Sequence, residues 1–131
     1  MSNIRLLFIF IILYQPIQGK VKLGIDVLVE NNFSIIKNKK VGLIINHTSI
    51  NSNWRSTLEI ISESNVCELV AIFTPEHGFD GKLDEYINYG DNLIYNVPVY
   101  SLYGETLRPE KRMIRNIDYL IFDILDVGTR F

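Results

Sequence analysis

The sequence predicts an α/β fold, a parallel sheet with flanking helices, from three observations. Short apolar runs rich in branched residues recur at Lys40 to Ile45, Cys67 to Phe73, Val97 to Tyr100 and Tyr119 to Phe122. Helical spacing rather than a tight turn separates them, the mark of βαβ units. Polar signatures also recur after the runs, as Asn46-His47-Thr48, Thr74-Pro75-Glu76-His77-Gly78, Ser101-Leu102-Tyr103-Gly104 and Asp123 to Phe131. Open parallel sheets bind ligands outside the carboxyl ends of their strands. The recurrence therefore predicts one shared site in place of four unrelated loops.

The first segment is set apart from the domain. Arg5 precedes the apolar run Leu6 to Tyr14, and Gln15-Pro16-Ile17-Gln18-Gly19 follows. A short basic region, an apolar core and a small residue at the end describe a secretory signal peptide. The run is shorter than the roughly 20 apolar residues that span a bilayer. We expect residues 1–19 to be removed on export, with an uncleaved anchor or a buried strand as the alternatives. Residues 20–131 are then the domain, with no stable membrane association after cleavage.

Within it, Ile25 to Glu30 reads as a lead-in helix, which Asn31 and Asn32 argue against extending. Lys40 to Ile45 is the first buried strand, bounded by Asn38 and Asn46. Trp54 to Ser64 carries Leu58, Ile60 and Ile61 at helical spacing, with Ser52 or Asn53 available as its cap. Cys67 to Phe73 is the second strand. Gly78 to Asn96 is a long polar loop whose Tyr86, Tyr89 and Tyr95 suit stacking on a sugar ring, or cover the sheet edge. Val97 to Tyr100 is a short strand in which Pro98 argues for an edge position or a strand start. Pro109 to Asn116 is a helix with proline in its first turn. Tyr119 to Phe122 is the last strand, and a sheet ending there would keep an open edge. The chain is thus expected to be the amino-terminal part of a larger protein or a truncated gene product.

Composition narrows the function. The formal net charge is −2 and no basic tract is present, which argues against nucleic acid as a partner. Cys67 is the one cysteine, so no internal disulfide is expected, and its apolar setting predicts packing in the core. The chain has no Gly-x-Gly-x-x-Gly, no Walker sequence and no Gly-x-Ser-x-Gly elbow. No cofactor is expected.

The candidate chemistry centres on Glu76. Phe73, Pro75 and Phe79 supply an apolar wall of the kind that raises a carboxyl pKa toward neutrality, as a general acid requires. Glu76 capping a following helix is the plain alternative. His77 either orients Glu76 or packs under a loop. Asn46, His47 and Thr48 are candidate ligand contacts and equally common turn formers. Asp123 and Asp126 are candidates for the second carboxylate of a glycosidase, or for helix capping and pairing with Arg130. A metal held by His47, His77 and Asp123 has no diagnostic ligand spacing behind it.

Five segments in one order carry a resemblance. They are Gly42 to Thr48, Arg55-Ser56-Thr57, Phe73-Thr74-Pro75-Glu76-His77-Gly78, Pro98 to Gly104, and Phe122 to Phe131. From about Gly24 onward the chain resembles the exo-β-N-acetylmuramidase family of bacterial cell-wall recycling. The resemblance implies a Rossmann-like amino-terminal domain, of which this chain has only the first part, and a second, absent domain. It implies release of N-acetylmuramic acid from the non-reducing end of peptidoglycan fragments, with the acid/base on Glu76. His77 and Asp123 are the further catalytic candidates that follow. Asn46, His47, Thr48, Arg55, Tyr103, Asp126 and Arg130 are the substrate-binding candidates. Arg55 and Arg130 suit the lactyl carboxylate that distinguishes muramic acid, because guanidinium binds carboxylate bidentately. Ser49 departs from the pattern, since a glycine is usual after Asn-His-Thr, and Leu125 stands where a glutamine is usual between the two aspartates. The competing expectation is a remnant that binds muropeptides without cleaving them.

Overall fold

The computed structural model describes residues 19, 21–75, 93–103 and 107–125. Helix α1 (Gly24–Glu30) leads into a 3-10 turn (Ser34–Ile36) and strand β1 (Lys40–Ile45). Helix α2 (Thr57–Ser64) connects β1 to β2 (Glu68–Thr74). A two-residue strand β3 (Leu93–Ile94) turns into β4 (Val97–Ser101), and the short helix α3 (Lys111–Ile114) precedes β5 (Tyr119–Asp123). The sheet order is β3-β4-β2-β1-β5, with β4, β2, β1 and β5 all parallel and β3 antiparallel to β4. The expected α/β class and all four expected strands are present, each within a residue or so of its expected bounds.

Four local expectations are corrected. Helix α2 starts three residues later than Trp54, and its cap is Ser56, whose hydroxyl accepts the Leu58 N–H at 3.2 Å. Trp54 lies outside the helix with φ 62°, a left-handed conformation that a helix interior does not admit. Pro109 stands before the α3 cap residue Glu110 instead of in the first turn. Cys67 falls just ahead of β2, half-buried against the core. The end of the expected Gly78–Asn96 loop is a hairpin, because Tyr95 and Asn96 both take positive φ, 53° and 62°, as a tight two-residue turn requires. The rest of that loop, with Tyr86 and Tyr89, lies outside the described residues.

The lead-in helix is present and stops where the asparagines begin. Asn31 caps it, and Asn32 and Phe33 follow at φ 51° and 54°. That reversal seats Ile36, 2% exposed, beneath the sheet.

One face of the sheet holds the core. Leu43 pairs with Ile72 and Ile72 with Val99, and all three are fully buried. Ile25 of α1 and Leu58 and Ile61 of α2 close over them. The burial of this row is the main stabilising term, since each such side chain contributes about 1.5–3 kcal/mol on leaving water. The second face is covered unevenly. Phe73 is fully buried and stacks on Tyr100 at 5.4 Å between ring centroids. Leu120 and Phe122, on the same face of β5, are 45% and 66% exposed. Gly42 in β1 makes close approach possible here. A Cβ at that position would stand 2.7 Å from Ile117 Cδ1 and 2.9 Å from Leu120 Cδ1.

Candidate functional site at the reversal of the sheet

The chain places β2 and then β4 to one side of β1, and β5 to the other. The order of strands therefore reverses between β1 and β5, and the crevice outside their carboxyl ends is the natural ligand site of such a sheet. Two of the recurring polar signatures, Asn46-His47-Thr48 and the start of Asp123 to Phe131, meet at this point. Register puts Ile45 opposite Asp123, so Asn46 and Asp123 stand side by side at the strand ends.

The turn after β1 is built by its own side chains. Asn46 Oδ1 accepts the Thr48 N–H at 2.9 Å and the Thr48 hydroxyl at 2.7 Å, a local turn of the kind asparagine favours. Thr48 Oγ1 in turn accepts the N–H of Leu125 at 3.0 Å, tying the turn to the segment after β5. Ser49 completes the link. Its hydroxyl, 2% exposed as a residue, accepts the Asn46 N–H at 2.9 Å and donates to the backbone carbonyl of Asp123. His47 is exposed at the tip.

Helix α2 supplies the next contact. Thr57, its first residue, is fully buried and donates its hydroxyl proton to Asp123 Oδ2 at 2.5 Å. The Thr57 N–H donates to the Ser49 carbonyl at 2.9 Å. The Asp123 carboxylate thus sits at the amino-terminal, partly positive end of α2, where a negative charge is favoured. Thr57 and Asp123 form the polar end of a groove of about 290 Å³ whose apolar walls include Ile25, Leu28, Ile36 and Ile121.

The ends of β2 and β4 continue the row. Thr74 pairs with Ser101 in register. The Thr74 hydroxyl is fully buried and has no hydrogen-bond partner among the described residues. The Leu102 N–H donates to the Thr74 carbonyl at 2.8 Å, and the exposed Tyr103 donates its N–H to Ser101 Oγ at 3.2 Å. Glu76 and His77 come two and three residues after the last residue of β2 and lie outside the described residues, as do Asp126 and Arg130.

Of the sequence candidates, the structure brings together Asn46, Thr48 and Asp123. Arg55 lies elsewhere: its guanidinium pairs with Glu63 at 2.6 Å on the outer surface of α2. Two residues at the centre of the site, Ser49 and Thr57, were not singled out for function. A signal was present, because Ser49 departs from the family pattern and Thr57 belongs to the Arg-Ser-Thr segment. Cys67 is at the opposite, amino-terminal edge of the sheet, and burial pushes its thiol above the usual range, an effect partly offset by a hydrogen bond from Ser64. It is protonated at neutral pH and remote from the crevice. Among the described residues no group of three His, Cys, Asp or Glu side chains is arranged to hold a metal ion.

Comparison with known proteins adds a second line. A family model described as "Exo-beta-N-acetylmuramidase NamZ, N-terminal" matches residues 41–131. The chain is 44% identical over 115 residues to the peptidoglycan beta-N-acetylmuramidase NamZ of Bacillus subtilis (strain 168), covering 86% of this chain and 28% of that protein. Its structure is similar to the crystal structure of a DUF1343 family protein from Bacteroides fragilis NCTC 9343, with TM-score 0.72 and 41% identity, over 82% of this chain and 27% of that one. The chain therefore spans little more than a quarter of the length of either.

Proposed function

The chain belongs to the NamZ exo-β-N-acetylmuramidase amino-terminal family, and from that premise we propose that it acts on muropeptide sugars at the β1–β5 crevice. The reaction is removal of N-acetylmuramic acid from the non-reducing end of peptidoglycan fragments. One observation carries the proposal: the Asp123 carboxylate stands at the reversal point of the sheet, with β1 alone between its strand and β2, whose end leads in sequence to Glu76.

In this reading Glu76 is the general acid that protonates the glycosidic oxygen as the bond to the leaving sugar breaks. His77 orients it. A glycosidase needs a second group to meet the positive charge that develops on the muramic acid ring. Asp123 supplies it, with Asp126 or the 2-acetamido group of the substrate as the alternatives. Glu76 then takes a proton from the attacking water, which restores the starting state. Asn46, His47, Thr48 and Tyr103 line the approach to the crevice. Arg130 reads the lactyl carboxylate, since Arg55 is already engaged by Glu63. Residues 1–19 direct the chain out of the cytoplasm to the wall material it acts on, and no cofactor takes part.

The test is a proton NMR time course of N-acetylmuramyl-β-1,4-N-acetylglucosamine with the purified chain. Release of N-acetylmuramic acid that disappears in Glu76→Gln supports the enzyme, and the first anomer formed distinguishes retention from inversion. Turnover retained by Glu76→Gln rejects the acid/base assignment. The second reading is a muropeptide-binding protein without turnover. Broadened sugar resonances without product would select it.

A further inference from the structure

We propose that Thr57 is a positioning residue for Asp123, fixing one carboxylate oxygen at the sheet reversal and so setting the direction of the other toward the bound sugar. This inference rests on the functional reading above. Asp123 is held at two points, one on its side chain and one on its main chain. Thr57 donates to Asp123 Oδ2, and Ser49 donates to the Asp123 carbonyl, so both side chain and main chain of the residue are fixed.

The holding groups are themselves rigid. Thr57 is fully buried, opens helix α2 behind the Ser56 cap, and anchors its N–H on the Ser49 carbonyl. Ser49 is 2% exposed and its hydroxyl also accepts the Asn46 N–H. Neither side chain can swing without breaking a buried hydrogen bond. Among the described residues Thr57 is the one hydrogen-bond donor to the Asp123 side chain. A carboxylate tethered at one oxygen has lost most of its rotation about χ2, and its second oxygen is aimed in advance of binding. Preorganisation of this kind matters because a shift of about 1 Å in a reacting group costs roughly 100-fold in rate.

Threonine suits the position for two reasons. Its hydroxyl makes the bond, while its methyl fills the fully buried site and limits χ1 to few rotamers. Valine keeps the shape and removes the donor; serine keeps the donor and removes the methyl.

The experiment compares Thr57→Val, Thr57→Ser and Asp123→Asn with the parent in the full chain, using the muramyl disaccharide. The expected result is a fall in kcat of roughly 10- to 100-fold for Thr57→Val with KM within about twofold, and recovery to near the parent value in Thr57→Ser. Thr57→Val at parent kcat while Asp123→Asn is inactive overturns the positioning role and leaves the functional reading standing. Equal losses in Thr57→Val and Thr57→Ser assign the effect to packing and also overturn it. Asp123→Asn at parent kcat rejects Asp123 itself, and the inference falls with that reading. A parent chain without turnover rejects the reading and the inference together.

Discussion

Ser49 reaches across the reversal point of the sheet to donate its hydroxyl proton to the backbone carbonyl of Asp123, 74 residues further along the chain. The same hydroxyl accepts the Asn46 N–H, so one buried side chain satisfies two main-chain groups at the ends of adjacent strands. A glycine here would leave both without that partner. Ser49→Ala is expected to cost about 1–3 kcal/mol, the penalty for leaving buried polar groups unpaired. Urea unfolding checks it. An unchanged midpoint would mean that the link does not form in solution.

The two phenylalanines on the second face of the sheet report how that face is covered. Phe73 is fully buried and stacked on Tyr100, and Phe73→Ala is expected to cost about 3–5 kcal/mol. Phe122 is 66% exposed, and Phe122→Ala is expected to cost under about 1 kcal/mol. Denaturant midpoints of the two variants give the comparison. Equal losses would show that β5 is covered in solution by something beyond the described residues.

Helix α2 depends on Ser56. Its hydroxyl accepts the Leu58 N–H, one of the four amides that a helix start leaves without an internal partner. Ser56→Ala is expected to lower stability by about 1 kcal/mol and to speed amide exchange in the first turn of α2. Ser52→Ala, at another residue of cap type just before the helix, is expected to leave both unchanged. The opposite ranking would move the helix start back toward Trp54.

Cys67 provides a pH test. Burial raises its thiol pKa, and the weaker, opposing effect is the Ser64 hydrogen bond. The folded state therefore binds its proton more tightly than the unfolded state does. Any stability from this thiol is present below the unfolded pKa and is lost as pH rises through the folded one. Alkylation of the native chain by iodoacetamide should be slower than that of the urea-unfolded chain at every pH up to about 9, since the thiolate is the reacting form. Equal rates at pH 8 would show the thiol to be accessible and unshifted.

The two central strands, β1 and β2, were legible because they are largely buried, whereas β5 is mostly exposed. A parallel strand covered on both faces reads as an unbroken apolar run, and Val41 to Ile45 and Leu69 to Phe73 are such runs. The starts of helices were read less well. Ser52, Asn53 and Ser56 are all good caps by composition, and only Ser56 holds the extended φ/ψ of −62° and 137° with its hydroxyl on Leu58. The tight turn at Tyr95 and Asn96 was missed because tyrosine is an unusual residue at positive φ.

For the site, the sequence by itself determined which polar segments follow which strands, and hence that Asn46, Thr48 and Asp123 belong to strand ends on one edge of a sheet. It determined the family through five ordered segments. Only the tertiary structure decided that β5 lies beside β1 and not beyond β4, which brings Asp123 to Ser49 and Thr57. The physical reason is that periodicity reports burial within one element, whereas strand order and the partners of a hydroxyl depend on contacts between residues 66 or 74 positions apart.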